Sequence, residues 1–444
     1  MHIDKTTLYD LSVFHTQEEY SLFHLIDFTI TSEGRAVLQS ILKHPLNRTE
    51  EISAVQNILL LYSKKIYDWP AYITNGTMLV IEKFFDDNPD PIPENITPLQ
   101  ASIYKWLHPR DYSLILFSMR QLFSLVKGFR SIHEFFKEDA LPKPLSEIVF
   151  QTTKIIGDKR LIALLEKEEF HELSKREILY YGRIFHVELI AEMRMLMKYY
   201  GQLDAWYSMA KANMEIGLEN PVFTDSASSI EATSLKHILL ENAVSYDITM
   251  NKDSNFIFLT GANMAGKSTL IKAVGLAVYL AHIGMGVPAK EMKLSLFEGI
   301  LSNINIEDNI TKGESYFFNE VKRIKETIQK IDDGRNWLVL IDELFKGTNI
   351  QDAMKCSLAV IRGLVHIKNC LFILSTHLYE IGEDLKDLTT IDFRYFETIL
   401  KDDELHFSYQ LKEGISQDRM GYLILQKEGV TSLLENLGKP TSNQ

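Results

Sequence analysis

The stretch FIFLTGANMAGKSTLIKAVGLAVYLAHIGMGVPA, residues 256 to 289, restricts the fold of this chain more than any other segment. An apolar run of strand type breaks into a loop bracketed by Gly261 and Gly266, then resumes with the period of a helix. From Gly261 to Ser268 the spacing is G-x-x-x-x-G-K-[ST]. Two glycines let such a backbone curl so that successive amides face phosphate oxygens. The helix behind the loop adds its positive N-terminal end. Lys267 is expected to reach the outer phosphates of a nucleotide, and the Ser268 hydroxyl suits magnesium. The expected contacts run through Gly261, Ala262, Asn263, Met264, Ala265, Gly266, Lys267, Ser268 and Thr269.

Two more apolar runs end in chemistry. WLVLIDELFKGTN buries Leu338 to Ile341 and delivers Asp342 and Glu343 at the carboxyl end of a strand. Asp342 is the expected magnesium ligand beside Ser268, and Glu343 the group that orients the attacking water. Two acids ending a strand are common; downstream of a phosphate loop they point to nucleotide hydrolysis. CLFILSTHLYE presents His377 in the same way, as the expected sensor of the terminal phosphate. Together these parts describe an ATP-binding-cassette type of ATPase. Such cassettes act in pairs, each completing its neighbour's site. The Leu-Ser-Gly-Gly-Gln signature of transporter cassettes is missing, which argues against a transporter subunit. DNITKGESYFFNEVKRIKETI stands in its place.

The 444 residues exceed one ordinary core, so two to three domains are expected. The first half reads as helices. EEISAVQNILLLYSKKIY and RDYSLILFSMRQLFSLVKGFRSIHEFF space their apolar residues at threes and fours. From about Pro221 short β-type runs alternate with helical stretches, the pattern of a mostly parallel sheet covered by helices. The expected division is a helical domain over 1–218 and an α/β P-loop ATPase domain over 219–444. A net charge of −13 excludes a uniformly basic nucleic-acid coat but not a local basic stripe. Two cysteines, no secretory pattern at the start and no uninterrupted apolar span point to a cytoplasmic protein without a membrane segment.

The cassette resembles that of the MutS family of DNA mismatch repair ATPases. TGANMAGKST is similar to that family's Thr-Gly-Pro-Asn-Met-Gly-Gly-Lys-Ser-Thr, with Ala262 and Ala265 as departures. EDNITKGESYFFNEV resembles the segment with the family's Ser-Thr-Phe-Met signature, keeping Ser315 and placing Tyr316 where threonine is usual. IDELFKGTNIQDA matches the loop after the acids, with Lys346 in place of arginine, and STHLYEI matches the Thr-His switch. In the first half, SLFHLIDFTITSEGRAVLQSIL, HPRDYSLILFSM and QLDAWYSMAKA resemble the family's core and lever helices.

The resemblance implies a homodimer joined through the ATPase domains. ATP and magnesium would lie between the Lys267 loop of one subunit and Ser315 of the other. DNA is the implied partner, with other repair proteins beside it. Lever-like sequence starts almost at residue 1, so the family's mismatch-recognition and connector domains are expected to be missing. The region after Phe136 is short for the family's DNA clamp. Its Lys154, Lys159, Arg160, Lys167, Lys175 and Arg176 offer a small phosphate-contacting tip, but they are interleaved with glutamates, which favours a solvated helix surface. The family's adenine-contacting aromatic falls on Ala243, with Tyr246 as the alternative. Mismatch repair is the function implied. Binding of branched or recombining DNA, or scaffolding of repair, is the other reading.

Overall fold

The computed structural model describes residues 1–87, 90–137, 139–304, 316–401, 404–416, 429–430 and 433–434. The chain forms two compact units. One comprises Leu22–Leu218 and His282–Gly286; the other comprises Met1–Ser21, Glu219–Ala281 and Val287–Gln444.

The first unit is helical. Its longest helices, Pro109–Phe136 and Ile190–Ile216, are the segments whose apolar periodicity is longest. The helix Ser32–Lys43 starts at Thr31, whose hydroxyl accepts the Gly34 N–H at 3.0 Å. Asp204, buried inside Ile190–Ile216, grips this start. It accepts the Ile30 N–H at 2.9 Å, the Thr31 N–H at 2.8 Å and the Thr31 hydroxyl at 2.7 Å. Burial raises the Asp204 carboxyl pKa, and these donors work against that rise. A Cβ on Gly34 would lie 2.1 Å from Asp204 Oδ2, so the TSEG turn admits only glycine there. The short helices Lys143–Ile156, Lys159–Leu165 and Lys175–Arg183 lead into a π turn, Ile184–Glu188. Here Arg160 pairs with Asp158 and Glu188, and Lys167 with Glu177. Arg160 and Lys167 are thus paired with neighbouring acids.

In the α/β unit the strands, in chain order, are β1 (His2–Ile3), β2 (Val222–Thr224), β3 (Ile230–Leu235), β4 (Tyr246–Met250), β5 (Phe256–Thr260), β6 (Glu291–Ser295), β7 (Gly299–Asn303), β8 (Trp337–Asp342), β9 (Cys370–Ser375), β10 (Ile391–Lys401) and β11 (Glu404–Glu413). One sheet has the order β1-β7-β8-β9-β5-β10-β11, parallel except between β10 and β11; a smaller one has the order β2-β6-β3-β4. Every residue of β5, β8 and β9 is buried, as strands covered on both faces require. The helices Lys267–His282, Tyr316–Ile331 and Ile350–Leu364 lie between these strands in the chain.

Residues 1–21 correct the expected 1–218 division: they belong to the α/β unit. β1 pairs in parallel with β7 at the sheet edge. Behind it Asp10 accepts the Ser302 hydroxyl at 2.5 Å and the Ile304 N–H at 3.1 Å, while Asp4 pairs with Arg323 at 3.1 Å. Among the described residues no helix is long and apolar enough to cross a membrane.

Candidate nucleotide-binding site

Because β8, β9 and β5 are neighbours and parallel, their carboxyl ends open on one edge of the sheet. Ligands of open α/β sheets bind at such an edge. The loop after β5 turns through Gly261 (φ +137°), Met264 (φ +68°) and Gly266 (φ +111°). At Gly261 a Cβ would also come within 3.1 Å of the Phe396 carbonyl oxygen, so two constraints demand glycine. Ala262 and Ala265 are buried, whereas Met264 is 80% exposed. The helix Lys267–His282 then begins, with Ser268 and Thr269 in its first turn.

The Lys267 ammonium folds back onto its own loop, donating to the carbonyls of Gly261 at 2.7 Å and Ala262 at 3.0 Å. Burial holds its pKa below the usual lysine value, against the pull of Glu343 and Asp342. Asp342 is bound on both oxygens: the Ser268 hydroxyl donates to Oδ2 and the Ser375 hydroxyl to Oδ1. Glu343 is also clasped twice, by His377 Nε2 on Oε1 and by Lys346 Nζ at 3.1 Å on Oε2. Burial opposes the charge on Glu343, but the His377 hydrogen bond, its charge and Lys346 outweigh it and pull the carboxyl down to about 2.

Lys267, Ser268, Asp342, Glu343 and His377 therefore come together at this edge of the sheet. Ser315 lies outside the described residues. Tyr246 does not present an open face to a base: it is 6% exposed and set edge-on to Phe396 at 5.7 Å. Three partners escaped sequence reasoning. Ser375 stands opposite Asp342 in the β8–β9 register, a relation that only the folded sheet reveals. Lys346 was visible as a departure from arginine, but not as the partner of Glu343. Tyr409 on β11 is 42% exposed, and its ring edge lies 3.5 Å from where a Cβ on Gly266 would stand.

The donor set suits magnesium. Ser268 and Asp342 offer hard oxygen atoms side by side, the ligand type that this ion takes.

The family model of MutS domain V matches residues 257–436. The chain is 31% identical over 292 residues to the DNA mismatch repair protein MSH3 of Candida glabrata, covering 63% of this chain and 28% of that protein. It is 28% identical over 249 residues to the DNA mismatch repair protein MutS of Petrotoga mobilis, covering 54% of this chain and 30% of the relative. The MutS protein of Thermotoga maritima is 28% identical over 291 residues, 64% of this chain and 35% of its own length. The chain thus matches about a third of the length of these curated relatives. Its matched segment, residues 257–436, holds the loop, both acids and His377 in one crevice, and that segment is similar to MutS domain V.

Proposed function

We propose that this chain is an ABC-type, ATP-hydrolysing member of the MutS family that works on DNA, as a homodimer joined through residues 219–444. The observation that supports this most is the convergence of Lys267, Ser268, Asp342, Glu343 and His377 at the carboxyl ends of β5, β8 and β9. Residues 1–21 join the ATPase domain, and residues 22–218 form the core and lever arm that faces DNA.

ATP phosphates enter the cradle of loop N–H groups between Gly261 and Thr269. Lys267 exchanges two neutral carbonyl partners for anionic phosphate oxygens, which adds charge–charge attraction to its hydrogen bonds. Ser268 and Asp342 would hold magnesium, which when bound supplies charge against the β- and γ-phosphate oxygens. Glu343 orients the attacking water once His377 turns from it to the γ-phosphate. Its depressed pKa keeps it ionised, so it acts by aligning the water more than by keeping a proton. Ser315 of the second subunit would close the site. The exposed ring of Tyr409 is the platform for the base, the task that buried Tyr246 cannot perform. Hydrolysis then resets the dimer and moves the lever arm.

The test is the ATPase rate of the purified chain alone, with plain duplex, with mismatched duplex and with a four-way junction, at one salt concentration. Stimulation selective for the mismatch supports mismatch repair. Preference for the junction moves the assignment to branched DNA, and indifference to all DNA leaves a scaffold. No hydrolysis under any condition defeats the proposal.

A further inference from the structure

The loop after Glu343 adopts a backbone that its own residues disfavour. Glu343 and Phe345 have φ of +66° and +60°, and neither is glycine. Each such residue costs about 1 kcal/mol or more and persists only where its surroundings over-determine it. Three fastenings do so. The Glu343 N–H donates to the Ser375 carbonyl at 3.0 Å. Phe345 is buried against Phe317, ring centres 5.7 Å apart. The third is Glu320 of the helix Tyr316–Ile331, 1% exposed, whose Oε1 accepts the Lys346 N–H at 3.1 Å and Oε2 the Gly347 N–H at 3.2 Å. Successive N–H groups in a turn with left-handed residues make a concave anion cradle. Here the chain fills that cradle with its own carboxylate. Burial raises the Glu320 pKa, and the N–H groups of Gly347, Lys346 and Phe345 act against that rise.

We propose that Glu320 is a positioning residue for the catalytic carboxylate: by filling this cradle it sets Lys346 where its ammonium reaches Glu343. The inference rests on the hydrolase reading above. Glu320 would touch neither ATP nor water. It acts through the Lys346 backbone, and Lys346 Nζ completes the path 3.1 Å from Glu343 Oε2.

The experiment uses the full chain as Glu320→Gln, Glu320→Asp, Lys346→Met and the double variant Glu320→Gln/Lys346→Met. Glutamine keeps the volume but offers a single acceptor where two N–H groups need one each. Glu320→Gln should lower kcat for ATP at least about tenfold, the scale set by small misplacements of a reacting group, with ATP affinity within about twofold. Glu320→Asp should recover part of the rate, and adding Glu320→Gln to Lys346→Met should cost little more. Amide exchange should quicken at residues 343–349 in Glu320→Gln, with the helix Ile350–Leu364 unchanged. If Glu320→Gln does not fold, Lys346→Met alone must lower kcat at constant ATP affinity. An unchanged kcat, a parallel loss of affinity, or unchanged exchange at 343–349 overturns the inference. A parent chain that splits no ATP overturns the hydrolase reading and the catalytic role with it. The exchange measurement separates that case, because it reports on the loop without turnover.

Discussion

Asp342 and Ser375 face each other in the parallel register of β8 and β9, and the serine hydroxyl donates to the carboxylate's Oδ1. That bond fixes the plane of the carboxylate and leaves Oδ2 toward Ser268. Partners one step removed from a metal orient its ligands, and losing one costs about 10-fold or more in metal affinity. Ser375→Ala should therefore raise the magnesium concentration needed for half-maximal ATP binding by about tenfold. Binding of nucleotide in the presence of a chelator should not change. A magnesium titration followed with a fluorescent ATP analogue reads both, and an unshifted midpoint would show that Asp342 needs no help from Ser375.

Lys267 and Glu343 should separate binding from chemistry. Lys267→Ala removes the ammonium that must leave the Gly261 and Ala262 carbonyls for phosphate, so ATP affinity should fall by at least about tenfold, the loss of one charged hydrogen bond. Glu343→Ala should bind ATP at parental affinity yet hydrolyse it about 100-fold or more slowly. Parental turnover in Glu343→Ala would remove the role assigned to that carboxylate.

Tyr409 and Tyr246 should respond in opposite ways. Tyr409→Ala takes an exposed ring from the site, and one stack of base on aromatic is worth about 1–3 kcal/mol. ATP affinity should fall accordingly while inorganic triphosphate binds as before. Tyr246→Ala empties a buried position against Phe396 and should cost about 3 kcal/mol of stability instead. Equal effects on affinity from both changes would reject Tyr409 as the base platform.

The parts of the site that sequence spacing reveals are those built within one strand–loop–helix unit. Gly261 to Ser268, Asp342 with Glu343, and His377 all follow directly on apolar runs, so each could be placed without knowing the sheet order. Ser375 and Glu320 could not. The first depends on which residue β9 sets beside Asp342, and the second on a turn whose left-handed residues are glutamate and phenylalanine rather than glycine. Tyr246 came from the resemblance alone, as the alternative to Ala243, and its burial depends on Phe396 of β10, which only the fold brings against it. Residues 1–21 misled for a related reason: a strand of two residues has no periodicity to read, and its place comes from pairing with β7.

Two buried histidines should make stability depend on pH. His282 has Nδ1 2.9 Å from the Leu46 carbonyl oxygen, and burial pushes its pKa down to about 4 from 6.5. Burial and then Lys272 push His237 down to about 4 as well. Between those values and 6.5 the unfolded chain binds more protons than the folded one, so unfolding takes up protons. Their contribution is complete above pH 6.5 and is lost as pH falls toward 4, with an upper scale of about 3 kcal/mol for each. Thermal melts from pH 8 to pH 4 should be level at first and then decline, less steeply in His282→Gln. A decline equally steep in that variant would exclude His282 as a source.

Gly34 and Asp204 provide a double-mutant test of the helical unit. Gly34→Ala puts a methyl group 2.1 Å from Asp204 Oδ2 and 2.5 Å from its Cγ, so either the helix Ser32–Lys43 moves off or Asp204 releases Thr31. Releasing Thr31 strands a buried carboxylate, and the loss should reach about 3 kcal/mol, the range for breaking a buried charged network. Asp204→Ala should cost a similar amount by orphaning the Ile30 and Thr31 N–H groups. The two losses should not add. With Asp204 cut back to its Cβ, the two shortest contacts disappear and the 2.8 Å approach to that atom becomes the nearest of the three, so Gly34→Ala costs less in that background. Chemical denaturation of the four chains measures the coupling, and strict additivity would mean that Gly34 is required for some reason other than the Asp204 clasp.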